Sequence, residues 1–162
     1  MKGHLPAPTN SRDAEIGDGP CYATAMRKAS RRITQLYDEA LLPTGMRSTQ
    51  FAILVEVNRR AKSPPTLQEL ATALVMDRSA LGHTLRPLER DGLVASESSA
   101  ADRRRRHIVL TAAGKVKLRE ALLHWKNAQR RFHKVIGEAE AERLRATLLA
   151  VAHEERLSSL AD

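Results

Sequence analysis

The sequence predicts a mainly α-helical chain that carries one small β-hairpin. Three observations lead there. Leu and Ala supply most of the apolar residues, while aromatics make up only 3% of the 162 positions, a balance that favours helix. Apolar residues recur every three to four positions over long stretches, the period of a helix buried on one side. Two short runs, LVASES (93–98) and HIVL (107–110), read instead as strands, and the segment between them is polar and basic.

From Tyr22 to Leu41 the apolar residues fall at Tyr22, Ala25, Met26, Ala29, Ile33, Leu36, Tyr37, Ala40 and Leu41, an amphipathic helix ended by Pro43 and Gly45. Ser48 is placed to cap a second helix over 49–60, where Phe51, Ile53, Leu54, Val55 and Val57 indicate burial on most sides. KSPP (62–65) is a loop. Thr66-Leu-Gln-Glu69 then spells a capping box for a third helix over 67–74, with Leu67, Leu70, Ala71 and Leu74 inward. VMD (75–77) makes a tight turn, Asp77 caps a fourth helix over 78–90, and Gly92 ends it. Beyond the hairpin, 111–134 is helical again, with Leu118, Leu122, Trp125, Phe132 and Ile136 on one stripe, until Gly137 breaks it. Glu138, Glu140 and Glu142 load the first turn of a last helix with the sign its dipole prefers, and Leu144, Leu148 and Val151 form its seam.

A formal net charge of +8 points to anionic partners, nucleic acid before a membrane surface. No run approaches the roughly 18 apolar residues needed to span a bilayer, so no membrane partner is expected. The first twenty residues lack the apolar core of a secretory signal and read as a flexible arm rich in Gly, Pro and polar residues. One cysteine excludes an internal disulfide and suits a reducing cytoplasm, the expected location. A Gly-rich phosphate loop, a G-x-S-x-G elbow and paired carboxylates are all missing, so neither an enzyme nor a cofactor is expected. The six histidines show no metal-ligand spacing.

The sharpest local feature is Arg103, Arg104, Arg105 and Arg106, four like charges directly against an apolar strand. Such repulsion does little for a fold unless something anionic meets it. Two short helices joined by a tight turn and followed by a basic hairpin describe a winged helix-turn-helix. At about 100° per residue, Leu81, Leu85 and Leu88 share one side of the fourth helix, and Arg78, Ser79, Gly82, His83 and Arg86 lie largely on the other. Arg can fork to guanine O6 and N7, Ser and His can donate or accept, and Gly82 lets backbone approach. The same residues would also serve as an ordinary solvated face. The basic hairpin favours the DNA-binding alternative, because it stands where a wing reaches a minor groove.

TLQELATALVMDRSALGHTLRPLERDGLV (66–94) followed by DRRRRHIVLTAAG (102–114) resembles the MarR family of dimeric bacterial winged-helix regulators. The family's wing pattern, Asp-x-Arg before an apolar strand and Leu-Thr-x-x-Gly, is met by Asp102, Arg104, Leu110, Thr111 and Gly114. The resemblance extends to 22–60 and to the C-terminal helices. It implies that Arg104 enters the minor groove, that Asp102 orients the wing by an ion pair, and that the first and last helices interlock two subunits. Arg103, Arg105 and Arg106 then reach phosphates or neighbouring carboxylates at most. Many relatives carry Thr-Arg where this chain has Gly82 and His83, which bears on the bases read. Pro87 removes a hydrogen bond inside the recognition helix.

The expected organisation is a flexible arm (1–20), a helical dimerisation region (21–45 and 112–162) and a winged helix-turn-helix DNA-binding domain (46–111). The expected function is that of a homodimeric, ligand-responsive transcriptional repressor. Its partners would be double-stranded DNA carrying a pseudo-palindromic operator, a second copy of the chain, and a small-molecule effector. Tyr37, Met46, Phe51 and Trp125 could line an effector pocket or simply form core. Cys21, near a helix N-terminus with Arg27 and Lys28 one to two turns away, raises the alternative of a thiol-based redox repressor. Relatives that sense hydroperoxides place their cysteine about two positions later relative to Ser30, Arg31 and Tyr37, and have a tyrosine where Ala25 stands here. A third alternative is a basic nucleic-acid-binding protein that reads no sequence, its affinity supplied by counterion release.

Overall fold

The computed structural model of the chain describes residues 21–98 and 106–157. Among these the order is α1 (Tyr22–Leu41), a 3-10 turn (Leu42–Thr44), α2 (Ser48–Arg59), α3 (Leu67–Ala73), α4 (Arg78–Arg90), β1 (Val94–Ser98), β2 (Arg106–Leu110), α5 (Ala112–Ile136), α6 (Glu138–Ala152) and a second 3-10 turn (Glu155–Leu157). The arm proposed for 1–20 lies outside the described residues.

Local chemistry sets most boundaries. Thr66 Oγ1 accepts from the Glu69 N–H while the Glu69 carboxylate accepts from the Thr66 N–H at 2.7 Å, the reciprocal box that starts α3. Asp77 caps α4 by accepting from the Ala80 N–H at 2.7 Å. At the other end of α4, Gly92 sits at φ 66 and donates to Glu89, and the Leu93 N–H reaches back to Leu88, a Schellman termination. The helix runs on through Pro87.

Three sequence expectations need correction. Ser48 is the first residue of α2 and not its cap: its N–H is taken at 2.7 Å by the Asp38 carboxylate, which arrives from α1. Val55 is 37% exposed, whereas Glu56 beside it is only 8% exposed, so α2 is buried on fewer sides than its apolar run indicated. Glu142 falls beyond the first turn of α6, leaving Glu138 and Glu140 there.

One core joins the middle of the molecule. It draws Phe51, Ile53, Leu54 and Val57 from α2, Leu70 and Ala71 from α3, Leu81, Leu85 and Leu88 from α4, Val94 and Ile108 from the hairpin, and Leu118 and Ala121 from α5. Strands β1 and β2 are antiparallel, in register from Val94 opposite Leu110 to Ser98 opposite Arg106. Helix α5 then leads away from this lobe, packs along α1, and returns as α6 after Gly137, whose φ of 90 suits a residue without Cβ.

Candidate nucleic-acid interface

Helix α4 is held by one face and offers the other. Leu81, Leu85 and Leu88 are buried, while Arg78, Ser79, His83 and Arg86 are exposed. A Cβ built on Gly82 would meet nothing within 4 Å, so this turn of the helix leaves open space in front of its backbone. That space belongs to a cleft of about 530 Å³ between α4, the start of α3 and the hairpin. Arg78, Arg86 and Arg106 line it together with Thr66, Gln68 and Ser96, and among the described residues Glu89 is the acidic one in its walls. Among the described residues, three guanidinium groups against one carboxylate make it a cationic trough, suited to a phosphate backbone.

Asp102, Arg103, Arg104 and Arg105 lie outside the described residues. Arg106, the fourth arginine of the run, does belong to β2. It braces the hairpin: Nε donates to Ser96 Oγ at 2.9 Å and a terminal nitrogen donates to the Ser96 carbonyl at 3.2 Å. Sequence reasoning passed over Thr66, Gln68 and Ser96 as wall residues. Thr66 carried a signal, its capping box with Glu69, that identifies a helix start without saying what the start faces.

The base of the hairpin explains the Leu-Thr-x-x-Gly motif. The Thr111 hydroxyl donates to the Gly92 carbonyl at 2.6 Å and accepts from the Gly114 N–H at 2.9 Å, so one side chain caps α5 and ties it to the end of α4. A Cβ on Gly114 would lie 1.9 Å from the Leu93 carbonyl oxygen. Only glycine allows this approach of helix to backbone.

Of the four residues considered for an effector pocket, three pack at or against the core and one borders a crevice. Met46 and Phe51 are buried in the core, and Phe51 stacks on Trp125 with ring centroids 6.2 Å apart. Tyr37 instead borders a crevice of about 170 Å³ with Ile33, Gln129, Phe132, His133 and residues of α6. Its hydroxyl donates to Gln129 Oε1 at 2.9 Å, and burial pushes its pKa up. Cys21 stands exposed just before α1, and hydrogen bonding with Thr24, first through its side chain, holds the thiol below its ordinary value. Among the described residues no cluster of His, Cys, Asp or Glu is arranged to hold a metal, and no helix is long and apolar enough to cross a membrane.

Two carboxylates outside the interface are also perturbed. Burial raises the pKa of Glu56, but hydrogen bonds and charge from Arg59 and Arg60 outweigh it, and the net shift is downward. Asp38 behaves alike: burial opposes ionisation, the Ser48 N–H and hydroxyl with Arg47 favour it, and the result is a lowered pKa.

Residues 44–105 match the sequence model of the MarR family. The M. tuberculosis transcriptional regulator MosR, solved in complex with DNA, is 31% identical, with a TM-score of 0.75 over 86% of this chain and 99% of that one. S. aureus MepR, also solved with DNA, is 25% identical, with a TM-score of 0.70 over 86% and 98% of the two chains. CouR from Rhodococcus jostii RHA1, solved bound to p-coumaroyl-CoA, shares the fold at 23% identity and a TM-score of 0.71, over 82% and 92%.

Proposed function

The chain belongs to the MarR family of DNA-binding transcriptional regulators, and from that premise we propose that it acts as a homodimeric, ligand-responsive repressor. The observation that carries this reading is the one-sided α4, with Arg78, Ser79, His83 and Arg86 exposed beside a trough of arginines. In the proposed complex α4 lies in a major groove, where an arginine can fork to guanine. Arg104 enters the flanking minor groove, oriented by Asp102, while Arg103, Arg105 and Arg106 stay at the phosphates or within the hairpin. DNA backbone then runs through the cleft between helix and hairpin.

Residues 46–111 serve as the DNA-binding domain, and 21–45 with 112–162 as the dimerisation region. Support for the dimer comes from the apolar residues that α1, α5 and α6 leave exposed, among them Tyr22, Met26, Val135 and Leu149. The p-coumaroyl-CoA bound to CouR supports a small-molecule effector here. Of the four effector candidates Tyr37 is the one that borders a crevice, with Met46, Phe51 and Trp125 packed behind as core.

Footprinting on the DNA upstream of the chain's own gene tests the reading. Two protected half-sites with centres about 10 bp apart are expected. Uniform protection with a steep salt dependence and no preferred site would instead indicate sequence-neutral binding. Within the wing, Arg104→Ala is expected to weaken specific binding by about 1–3 kcal/mol and Arg103→Ala by less. Asp102→Ala is expected to weaken it too, although removing a negative charge should by Coulomb's law alone strengthen it. Equal effects for the arginines, with tighter binding by Asp102→Ala, would reduce the segment to a diffuse charge.

A further inference from the structure

Strand β2 has neighbours on both edges. On one it pairs with β1; on the other it meets the loop between α2 and α3. That loop contains Pro64 and Pro65, which have no N–H and so present only carbonyls there. Both carbonyls are used. The Ile108 N–H donates to the Pro65 carbonyl at 2.8 Å, and His107 Nδ1 lies 2.7 Å from the Pro64 carbonyl. A carbonyl can only accept, so Nδ1 carries the proton. Thr66, the next residue, forms an isolated antiparallel bridge with His107 and is the cap of α3.

We infer that His107 is a positioning residue for DNA binding: its Nδ1–H locks the hairpin to the Pro64–Thr66 segment and thereby fixes the wing relative to the helix-turn-helix. This rests on the DNA-binding reading above. The geometry gives the lock its leverage. His107 follows directly on Arg106, and the wing arginines precede it in the chain. Its side chain holds the Pro64 carbonyl, two residues before the Thr66 cap of α3, against which α4 packs. Without the Nδ1–H bond the wing keeps its backbone contact to the loop, the Ile108 N–H to the Pro65 carbonyl, yet it loses the side-chain hydrogen bond to Pro64. A wing free to pivot must be ordered again each time DNA binds, which weakens the complex without removing any group that touches DNA. His107 itself makes no contact with DNA in this proposal.

Three substitutions separate this role from general damage. Asn places an amide N–H near the position of Nδ1, Gln carries it toward the position of Nε2, and Phe keeps a ring with no donor. The probe is a duplex selected from a random pool by the full-length wild-type chain, compared with a scrambled duplex of the same length. His107→Phe and His107→Gln are expected to bind the selected duplex about three- to tenfold more weakly, the range of one lost hydrogen bond. His107→Asn should stay within about twofold of wild type. Hydroxyl-radical protection should fade at the outer flanks, where the wing sits, and persist at the centre of each half-site. Arg104→Ala should also matter less in the His107→Phe background than alone. If Phe lowers folding yield, the Asn and Gln pair decides. Equal affinity for Asn and Gln, or a His107→Phe chain that binds like wild type, overturns the inference while the DNA-binding reading stands. A wild-type chain that does not distinguish selected from scrambled duplex overturns both.

Discussion

Leu54 of α2 and Val135 of α5 are both aliphatic residues on amphipathic helices, yet Leu54 is fully buried and Val135 is 78% exposed. The contrast holds for the regions around them. The lobe proposed to bind DNA closes on itself with help from α5: α2, α3, α4, the hairpin and the first half of α5 cover Leu70, Leu81, Leu88 and Val94 almost completely. In the helical region α6 buries only Ala141, and α1 leaves Tyr22 79% exposed. Two regions with similar apolar patterning therefore have different endings. The lobe finds its partners within one chain, and the helices present seams that one chain does not fill, which is why a second copy is the proposed occupant.

Breaking the lobe should cost most. Gly114→Ala drives a methyl into the Leu93 backbone, which cannot yield as a flexible side chain would, and about 3 kcal/mol of stability should be lost. Thermal or urea unfolding of the two proteins measures this; an unchanged midpoint would show that α5 docks more loosely than the 1.9 Å approach implies.

A smaller loss should come with acid. Glu56 and Asp38 both have pKa values held below their ordinary ones, so their contribution is complete above about pH 4.5 and fades as pH falls through the lowered values. Glu56→Gln should remove about 1–2 kcal/mol near neutral pH and flatten that acid limb. A variant whose stability still falls as steeply below pH 4.5 would place the acid sensitivity elsewhere.

Gly82→Ala should act in the opposite direction on stability. With nothing within 4 Å of the new methyl, helix propensity should raise stability by about 0.5–1 kcal/mol. Operator affinity should nonetheless fall if DNA approaches this turn. Stability and affinity both rising would exclude Gly82 from the interface. Least of all is expected of Cys21→Ser. Tyr37, the tyrosine nearest in sequence beyond Tyr22, gives its hydroxyl to Gln129, and operator release by peroxide should be the same in mutant and wild type. A mutant that stays on DNA at peroxide levels that release the wild type would restore the redox alternative.

How much of this was legible in the sequence depends on how local the cause is. The Thr66–Glu69 box, the Asp77 cap and the Gly92 stop are each written within a few residues, and the structure realises each of them. The cap on α2 was misread because its acceptor, Asp38, lies ten residues upstream on another helix. Glu56 was invisible for a related reason: its partners Arg59 and Arg60 sit at helical spacing, but nothing in that spacing says that the face is buried. Thr111 and Gly114 could be recognised as a motif, whereas the reason for the glycine is a carbonyl on a different element. The effector candidates were grouped as aromatic and sulfur side chains, and the fold separates Tyr37 from Met46, Phe51 and Trp125 because α1 leads it to α5 and away from the core.

The exposed seams of the helical region are tested most directly by sedimentation equilibrium at micromolar concentration, on the full chain and on Val135→Asp. A wild-type mass of twice the 18.0 kDa chain is expected, with the variant shifted toward monomer while its lobe unfolds at an unchanged midpoint. A wild-type chain that sediments as a stable 18.0 kDa monomer would contradict it.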